Sequence, residues 1–104
     1  LYPLEDHFAE KLHAYTMPRE NPSRVKDLVD MVLLLDLGLK ASRTLSESIE
    51  ATFARYGRHS LPEVLPEPPP QWNAPFEKLA FEVDLSVTTP GGAYNLLQTF
   101  LEAS

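Results

Sequence analysis

The sequence predicts an all-α fold, a compact bundle of four to five helices with a proline-rich connector. Apolar residues recur at three- and four-residue spacing in several segments, and no segment shows the alternation typical of a half-buried strand. Glycines and prolines fall between these segments, where they end helices. With 104 residues, 43% of them hydrophobic, the chain is long enough to enclose one core.

The first helix is predicted over residues 3–16. Pro3 suits a first helical turn, where its missing N–H costs little, and Glu5 and Asp6 suit the positive end of the helix dipole. Five apolar residues share one face at helical spacing, which predicts the side that is buried. They are Leu4, Phe8, Ala9, Leu12 and Tyr15.

The second helix is predicted over residues 24–37. Pro18 and Pro22 interrupt the pattern before it, Ser23 is a favourable N-cap, and Gly38 is its expected stop. Apolar residues cover most of its C-terminal half, which predicts burial on most sides. The apolar residues are Val25, Leu28, Val29, Met31, Val32, Leu34 and Leu35.

Three further elements complete the predicted bundle. A third helix is expected over residues 45–57, ended by a glycine. The segment at 59–75 holds six of the ten prolines and is expected to be an extended connector lying on the surface of the domain. Two more helices are predicted at 75–85 and 90–103, the last capped by Thr89.

These elements are expected to form a single domain over residues 1–104. Within it we distinguish a three-helix part at 1–58, the connector at 59–75 and the C-terminal helices at 76–104. Because the chain begins with leucine rather than methionine, we expect it to be a piece of a longer protein.

The composition excludes several classes of protein. No run of 18 or more apolar residues occurs, which excludes a membrane-spanning helix. The absence of cysteine excludes disulfides and thiolate metal sites and fits a cytoplasmic location. A net charge of −6 disfavours nucleic-acid binding by this chain alone, because phosphates require a basic surface.

Charged residues in the first two helices are the candidates for chemistry. Glu10 and Lys11 are adjacent, so they point about 100° apart on a helix. Arg24, Asp27 and Asp30 follow one another at intervals of three and share one edge of the second helix. They form either a surface arginine–carboxylate pair or a partly buried carboxylate, Asp30 before Asp27, that pairs with Lys11 on the neighbouring helix.

Other polar residues give weaker indications. Asp6, Glu10 and His13 have a spacing that could hold a metal, but a solvated acidic face has the same spacing and is more common, so we predict no metal site. His7, His13 and His59 belong to no recognisable pair of base and nucleophile and are interpreted as surface or packing residues. No phosphate loop, dinucleotide fingerprint or zinc spacing is present.

Two ordered motifs give a more specific indication. The segment PLEDHFAEKLHA, at 3–14, is similar to a helix of the form P-x-E-x-x-x-A-E-K-L-x-A, and RVKDLVD, at 24–30, is similar to R-x-K-D-L-x-D. Their order and the loop between them resemble the C-terminal half of the AbiEii-type abortive-infection nucleotidyltransferases, bacterial toxins found with an antitoxin. The later segments PPPQWNAPFEKLA and LLQTFLEA are similar to the tail of that family.

The resemblance implies the C-terminal part of a polymerase-β-like nucleotidyltransferase. Such an enzyme would bind a nucleoside triphosphate (NTP) with Mg²⁺ and transfer the nucleotidyl group to an acceptor thought to be RNA, particularly tRNA. Lys11 would contact the triphosphate, with Asp27 and Asp30 as its catalytic supports. Arg24 would contact phosphate or brace Asp27, and Glu10 would assist in substrate binding and hold the two helices together.

The sequence departs from the family in one respect. The magnesium-binding segment, a Gly-Ser turn followed by an Asp-x-Asp strand, does not occur in these 104 residues. The resemblance therefore implies that the chain alone is inactive, that a cognate antitoxin is a candidate partner, and that an uncovered apolar face favours self-association. The alternative function is a non-catalytic helical module that binds a protein partner, for which Pro68–Pro70 could offer a polyproline ligand.

Overall fold

The structure, a computed structural model, describes residues 3–17 and 24–103. Within those residues it contains α-helices and one 3₁₀ turn, at Pro70–Trp72, and no strand, which confirms the predicted all-α class for this part of the chain. The predicted break and N-cap at 18–23 lie outside the described residues. The helices are α1 (Leu4–Tyr15), α2 (Arg24–Asp36), α3 (Arg43–Tyr56), α4 (Asn73–Glu82) and α5 (Pro90–Glu102).

Local capping residues set the ends of α3 and α5. α3 begins two residues earlier than expected because the Ser42 hydroxyl accepts a hydrogen bond from the Leu45 N–H at 3.1 Å. Thr89 caps α5 as predicted, accepting a hydrogen bond from the Gly92 N–H at 3.1 Å. Gly57 ends α3 in the left-handed conformation, at φ 60°, which glycine adopts without strain.

α4 is shifted toward the N-terminus relative to its predicted bounds. It begins at Asn73, directly after the 3₁₀ turn, and ends at Glu82. The early end follows from Asp84, which adopts a left-handed φ of 55° and turns the chain back, so that the Leu85 N–H donates to the Ala80 carbonyl at 2.9 Å. This turn returns the Leu85 side chain to the core.

α1 lies at the centre of the three-helix part. It packs against both α2 and α3, while α2 also packs against α4 and α5. Because α1 has a neighbour on two sides, polar residues along its flanks must meet groups from those helices. The largest side chains with no more than 1% of their surface exposed are Tyr15, Phe8, Phe76, Leu12, Leu28, Met31, Leu45, Leu97 and Val32.

The proline-rich connector is attached to the bundle at several points. The Tyr15 hydroxyl donates to the Pro66 carbonyl at 2.7 Å, and the Trp72 ring meets Tyr15 edge-on with centroids 6.1 Å apart. The Leu65 N–H donates to the Gln98 side-chain carbonyl at 3.2 Å, and the Leu65 side chain is buried. The connector therefore lies on the surface of the domain, as the sequence predicted.

None of the described helices has both the length and the apolar character that crossing a membrane requires.

Phe81, on the outer side of α4, is 87% exposed and makes the clearest test of self-association. We expect Phe81→Ser to change the free energy of unfolding by less than about 0.5 kcal/mol, because the side chain has little packing to lose. If the predicted self-association uses this face, light scattering after size exclusion should show a lower mass for Phe81→Ser. Val64→Ser, at a 64% exposed position of the connector, is the matched control. A wild-type chain that is already monomeric would contradict self-association.

Candidate functional site

The first two helices bring one lysine and two carboxylates together. The Lys11 Nζ lies 3.0 Å from Asp30 Oδ2 and 3.7 Å from Asp27 Oδ1. The first distance is that of a charge-assisted hydrogen bond, and the second is a longer ion pair. Of the two arrangements that the sequence left open, the cross-helix ion pair is present. We call Lys11, Asp27 and Asp30 the lysine–carboxylate cluster.

The two carboxylates differ in burial, in the opposite order from the one expected. The Asp27 side chain is 10% exposed, whereas those of Asp30 and Lys11 are each 26% exposed. The cluster thus has a buried end at Asp27 and a more open end at Asp30.

Burial and charge shift the ionisation of the cluster in defined directions. Burial raises the pKa of the Asp27 carboxyl above its usual value, with the Lys11 charge acting against this. The hydrogen bond to Asp30 raises the pKa of the Lys11 ammonium, with burial acting against it. Lys11 is therefore charged at neutral pH, and its charge offsets the cost of burying Asp27.

Arg24 begins α2, one turn before Asp27. Burial raises the pKa of the Tyr15 hydroxyl, and the charge of Arg24 lowers it by a smaller amount. The predicted contact of Arg24 with phosphate, or with Asp27, stays a prediction.

Glu10 lies on the other flank of α1. Its carboxylate accepts hydrogen bonds from the Arg55 guanidinium and from the Tyr56 hydroxyl, the latter at 2.6 Å. The expectation that Glu10 holds the first two helices together is wrong, because it joins α1 to α3. The angle of about 100° between adjacent helical residues explains why Glu10 meets α3 while Lys11 meets α2. Its role in substrate binding stays a prediction.

The row formed by Asp6, Glu10 and His13 is engaged with α3. Asp6 Oδ1 accepts a hydrogen bond from the Ser48 hydroxyl at 2.8 Å, and the His13 ring packs edge-on against Phe53 with centroids 5.0 Å apart. Across residues 3–17 and 24–103, no group of three or more acidic, histidine or cysteine side chains could hold a metal ion.

Mg²⁺ requires several oxygen ligands in octahedral geometry. The two carboxylates of the lysine–carboxylate cluster are both engaged by Lys11. The residues that the structure describes therefore do not fit a magnesium site by themselves.

The chain matches the model of a known protein family. A family model described as nucleotidyl transferase AbiEii toxin, type IV TA system, matches residues 1–102. The chain belongs to the AbiEii family. This confirms the resemblance found in the sequence, and the match includes every member of the lysine–carboxylate cluster. No curated protein and no solved structure matches this AbiEii chain.

Some contacts of the AbiEii chain were not predicted from its sequence. Arg55 and Tyr56 bind Glu10, and His13 packs against His59. Tyr56 follows apolar residues of the third helix at helical spacing, yet its side chain is 44% exposed. Nothing in the local sequence indicated that its partner would be Glu10, 46 residues earlier.

Proposed function

We propose that this AbiEii chain is the helical part of a nucleotidyltransferase that binds the triphosphate of an NTP through Lys11. The nucleotidyl group would pass to an acceptor, RNA and particularly tRNA, with release of pyrophosphate. The observation that carries this proposal is the Lys11 ammonium held between Asp27 and Asp30, within the helices that carry the family's motifs.

Positive charge at a fixed position is what this chemistry requires from the protein. Nucleotidyl transfer accumulates negative charge on phosphoryl oxygens, and preorganised charges stabilise it. Ordering a free lysine side chain costs roughly 1.5–2 kcal/mol of rotamer entropy. Here Asp27 and Asp30 order the ammonium before a ligand arrives, so part of that cost is met on folding.

The cluster leaves room for a ligand at its open end. An ammonium has three donors, of which Asp30 accepts one at 3.0 Å, while Asp27 at 3.7 Å makes the longer ion pair. A remaining donor can therefore bind a phosphate oxygen, since 26% of the Lys11 side chain is exposed. Within the proposal, the buried Asp27 fixes the ammonium, and the more exposed Asp30 is the carboxylate that borders the reacting groups.

The remaining parts of the enzyme are proposed to lie outside these residues. Mg²⁺ would be held by the family's Asp-x-Asp segment, which this sequence lacks, and would offset negative charge on the triphosphate. The chain alone is then expected to bind NTP but not to transfer a nucleotide. A cytoplasmic location belongs to the same proposal, as does a cognate antitoxin as partner. The family's description as a toxin of a type IV system supports the antitoxin.

Direct titration of NTPs tests the binding step. We expect Lys11→Gln to weaken NTP binding by at least about tenfold, because a hydrogen bond to a charged group contributes about 1.5–3 kcal/mol. Isothermal titration of ATP, GTP, CTP and UTP into the 104-residue chain at low ionic strength would measure it.

Lys40→Gln is the matched control for that titration, since it removes the same charge from an exposed loop position. An equal loss of affinity in both variants would indicate general charge attraction and would contradict the site. So would a wild-type chain that binds none of the four nucleotides.

A further inference from the structure

A pair of histidines outside the lysine–carboxylate cluster lies where α1, the end of α3 and the start of the connector meet. The rings of His13 and His59 have centroids 4.6 Å apart and planes 39° apart. His13 also stacks on the Tyr56 ring, with centroids 4.3 Å apart, and both histidines meet Phe53 edge-on, at 5.0 and 5.3 Å. Aromatic carbon therefore surrounds much of this histidine pair.

The hydrogen bonds of the pair suit two neutral rings. The His59 Nε2 lies 2.9 Å from the Thr16 hydroxyl oxygen. Since that hydroxyl donates its hydrogen to a backbone carbonyl, that of Leu12 at 2.9 Å, it accepts from the His59 Nε2–H. The His59 Nδ1 then carries a lone pair. This nitrogen and the His13 Nε2 are both buried and have no hydrogen-bond partner among the residues that the structure describes.

The charges that face His13 disfavour its protonation. Burial lowers the pKa of His13, and the neighbouring His59 and the arginines Arg58 and Arg55 lower it further. Glu10 on α1 acts in the opposite direction. His13 itself is 5% exposed, so water cannot solvate the charge that a proton would bring.

Two further ionisable groups complete these surroundings. The Tyr56 hydroxyl donates its hydrogen to Glu10, so that hydrogen is not available to either histidine. Glu50, on α3, lines the same open groove as His59 and is itself exposed to solvent, which weakens its attraction for a proton on the pair.

His59 is also the first contact of the connector with α1. Gly57 ends α3, and the next attachments of the connector are those of Leu65 and Pro66. We propose that the histidine pair is an acid-sensitive latch, which holds the start of the connector against α1 while the His13 ring is neutral and releases it when that ring is protonated.

The direction of the pH dependence follows from the lowered pKa of His13. An open or unfolded chain, in which His13 is solvated, binds the proton more tightly than the closed form does. The closed form is therefore fully favoured above the ordinary histidine pKa of about 6.5, and it loses stability as the pH falls below that value.

Limited proteolysis can detect the released connector directly. Trypsin cleaves after Arg58, next to the latch, and after Lys40 in the exposed loop that follows α2. We expect cleavage at Arg58, relative to Lys40, to rise roughly 3- to 10-fold between about pH 7.5 and about pH 5.5. The internal ratio cancels the pH dependence of the protease. Trp72, the single tryptophan, should shift its emission to the red, while far-UV circular dichroism keeps its helical signal.

One variant removes the titrating ring and a second keeps it. His13→Phe retains an aromatic ring against Tyr56 and should hold the cleavage ratio constant across this pH range. His59→Gln retains an N–H for the Thr16 hydroxyl and leaves His13 in place, so its cleavage ratio should still rise as the pH falls. His7→Gln, at an exposed position of α1, should behave as the wild-type chain does.

Three results would overturn the latch. They are a wild-type cleavage ratio that does not change with pH, an unchanged pH dependence in His13→Phe, and loss of the whole helical signal at about pH 5.5 together with connector release. None of these measurements involves nucleotide, so their outcome is separate from that of the proposed transferase function.

Discussion

Replacing Lys11 by alanine in the nucleotidyltransferase to which we propose this chain contributes its helical part should reduce nucleotidyl transfer by about 10²- to 10³-fold, the typical effect of removing one preorganised donor from a developing charge. The ammonium is positioned 3.0 Å from Asp30 and 3.7 Å from Asp27, so no other described side chain can take its place without moving. Incorporation of labelled nucleotide into RNA, measured with each NTP, would measure the reduction in transfer.

The same assay can separate the charge of Lys11 from its geometry. Lys11→Arg keeps the charge but changes its shape and reach, so we expect activity between those of wild type and Lys11→Ala. Lys40→Ala and Lys78→Ala, at exposed positions, should retain full activity. Undiminished incorporation by Lys11→Ala would remove the basis of the proposed function, as would a parent protein that transfers no nucleotide at all.

The contact between Lys11 and α2 could be predicted from the sequence because it depends on local periodicity. Helical spacing fixes which side of α1 carries Lys11 and which edge of α2 carries Asp27 and Asp30. A short segment between two helices makes them neighbours, so few alternatives remain. The relative burial of the two carboxylates could not be predicted, since it depends on how α2 is rotated against the rest of the bundle.

Contacts between residues far apart in the chain could not be predicted from local sequence patterns. Glu10 meets Arg55 and Tyr56, which lie 45 and 46 residues later, and the sequence offered α2 as an equally reasonable neighbour. The early end of α4 depends on the left-handed conformation of Asp84. Aspartate adopts this conformation more readily than most residues, but its presence in the sequence does not predict it. In both cases tertiary packing determines which of the conformations permitted by the local sequence is adopted.

Lys11→Met should lower the free energy of unfolding by about 1–3 kcal/mol at about pH 7, because a largely buried carboxylate loses its counter-charge. Methionine keeps the length and most of the apolar stem of lysine, so packing changes little. The cost falls mainly on Asp27, whose side chain is 10% exposed, rather than on the more solvated Asp30. Urea unfolding followed by circular dichroism would measure the change.

The pH dependence of this deficit identifies Asp27 as its source. Burial already raises the pKa of Asp27, and loss of the Lys11 charge raises it further, so the folded variant binds a proton more tightly than the unfolded chain. Stability is then gained as the pH falls from about 7 to about 5, and the deficit relative to wild type should shrink. Comparing variant with wild type at each pH cancels the opposite effect of the histidine pair.

Lys11→Met combined with Asp27→Asn should recover most of the loss at neutral pH, and a deficit that persists in that double variant would show that Lys11 stabilises the fold by another route.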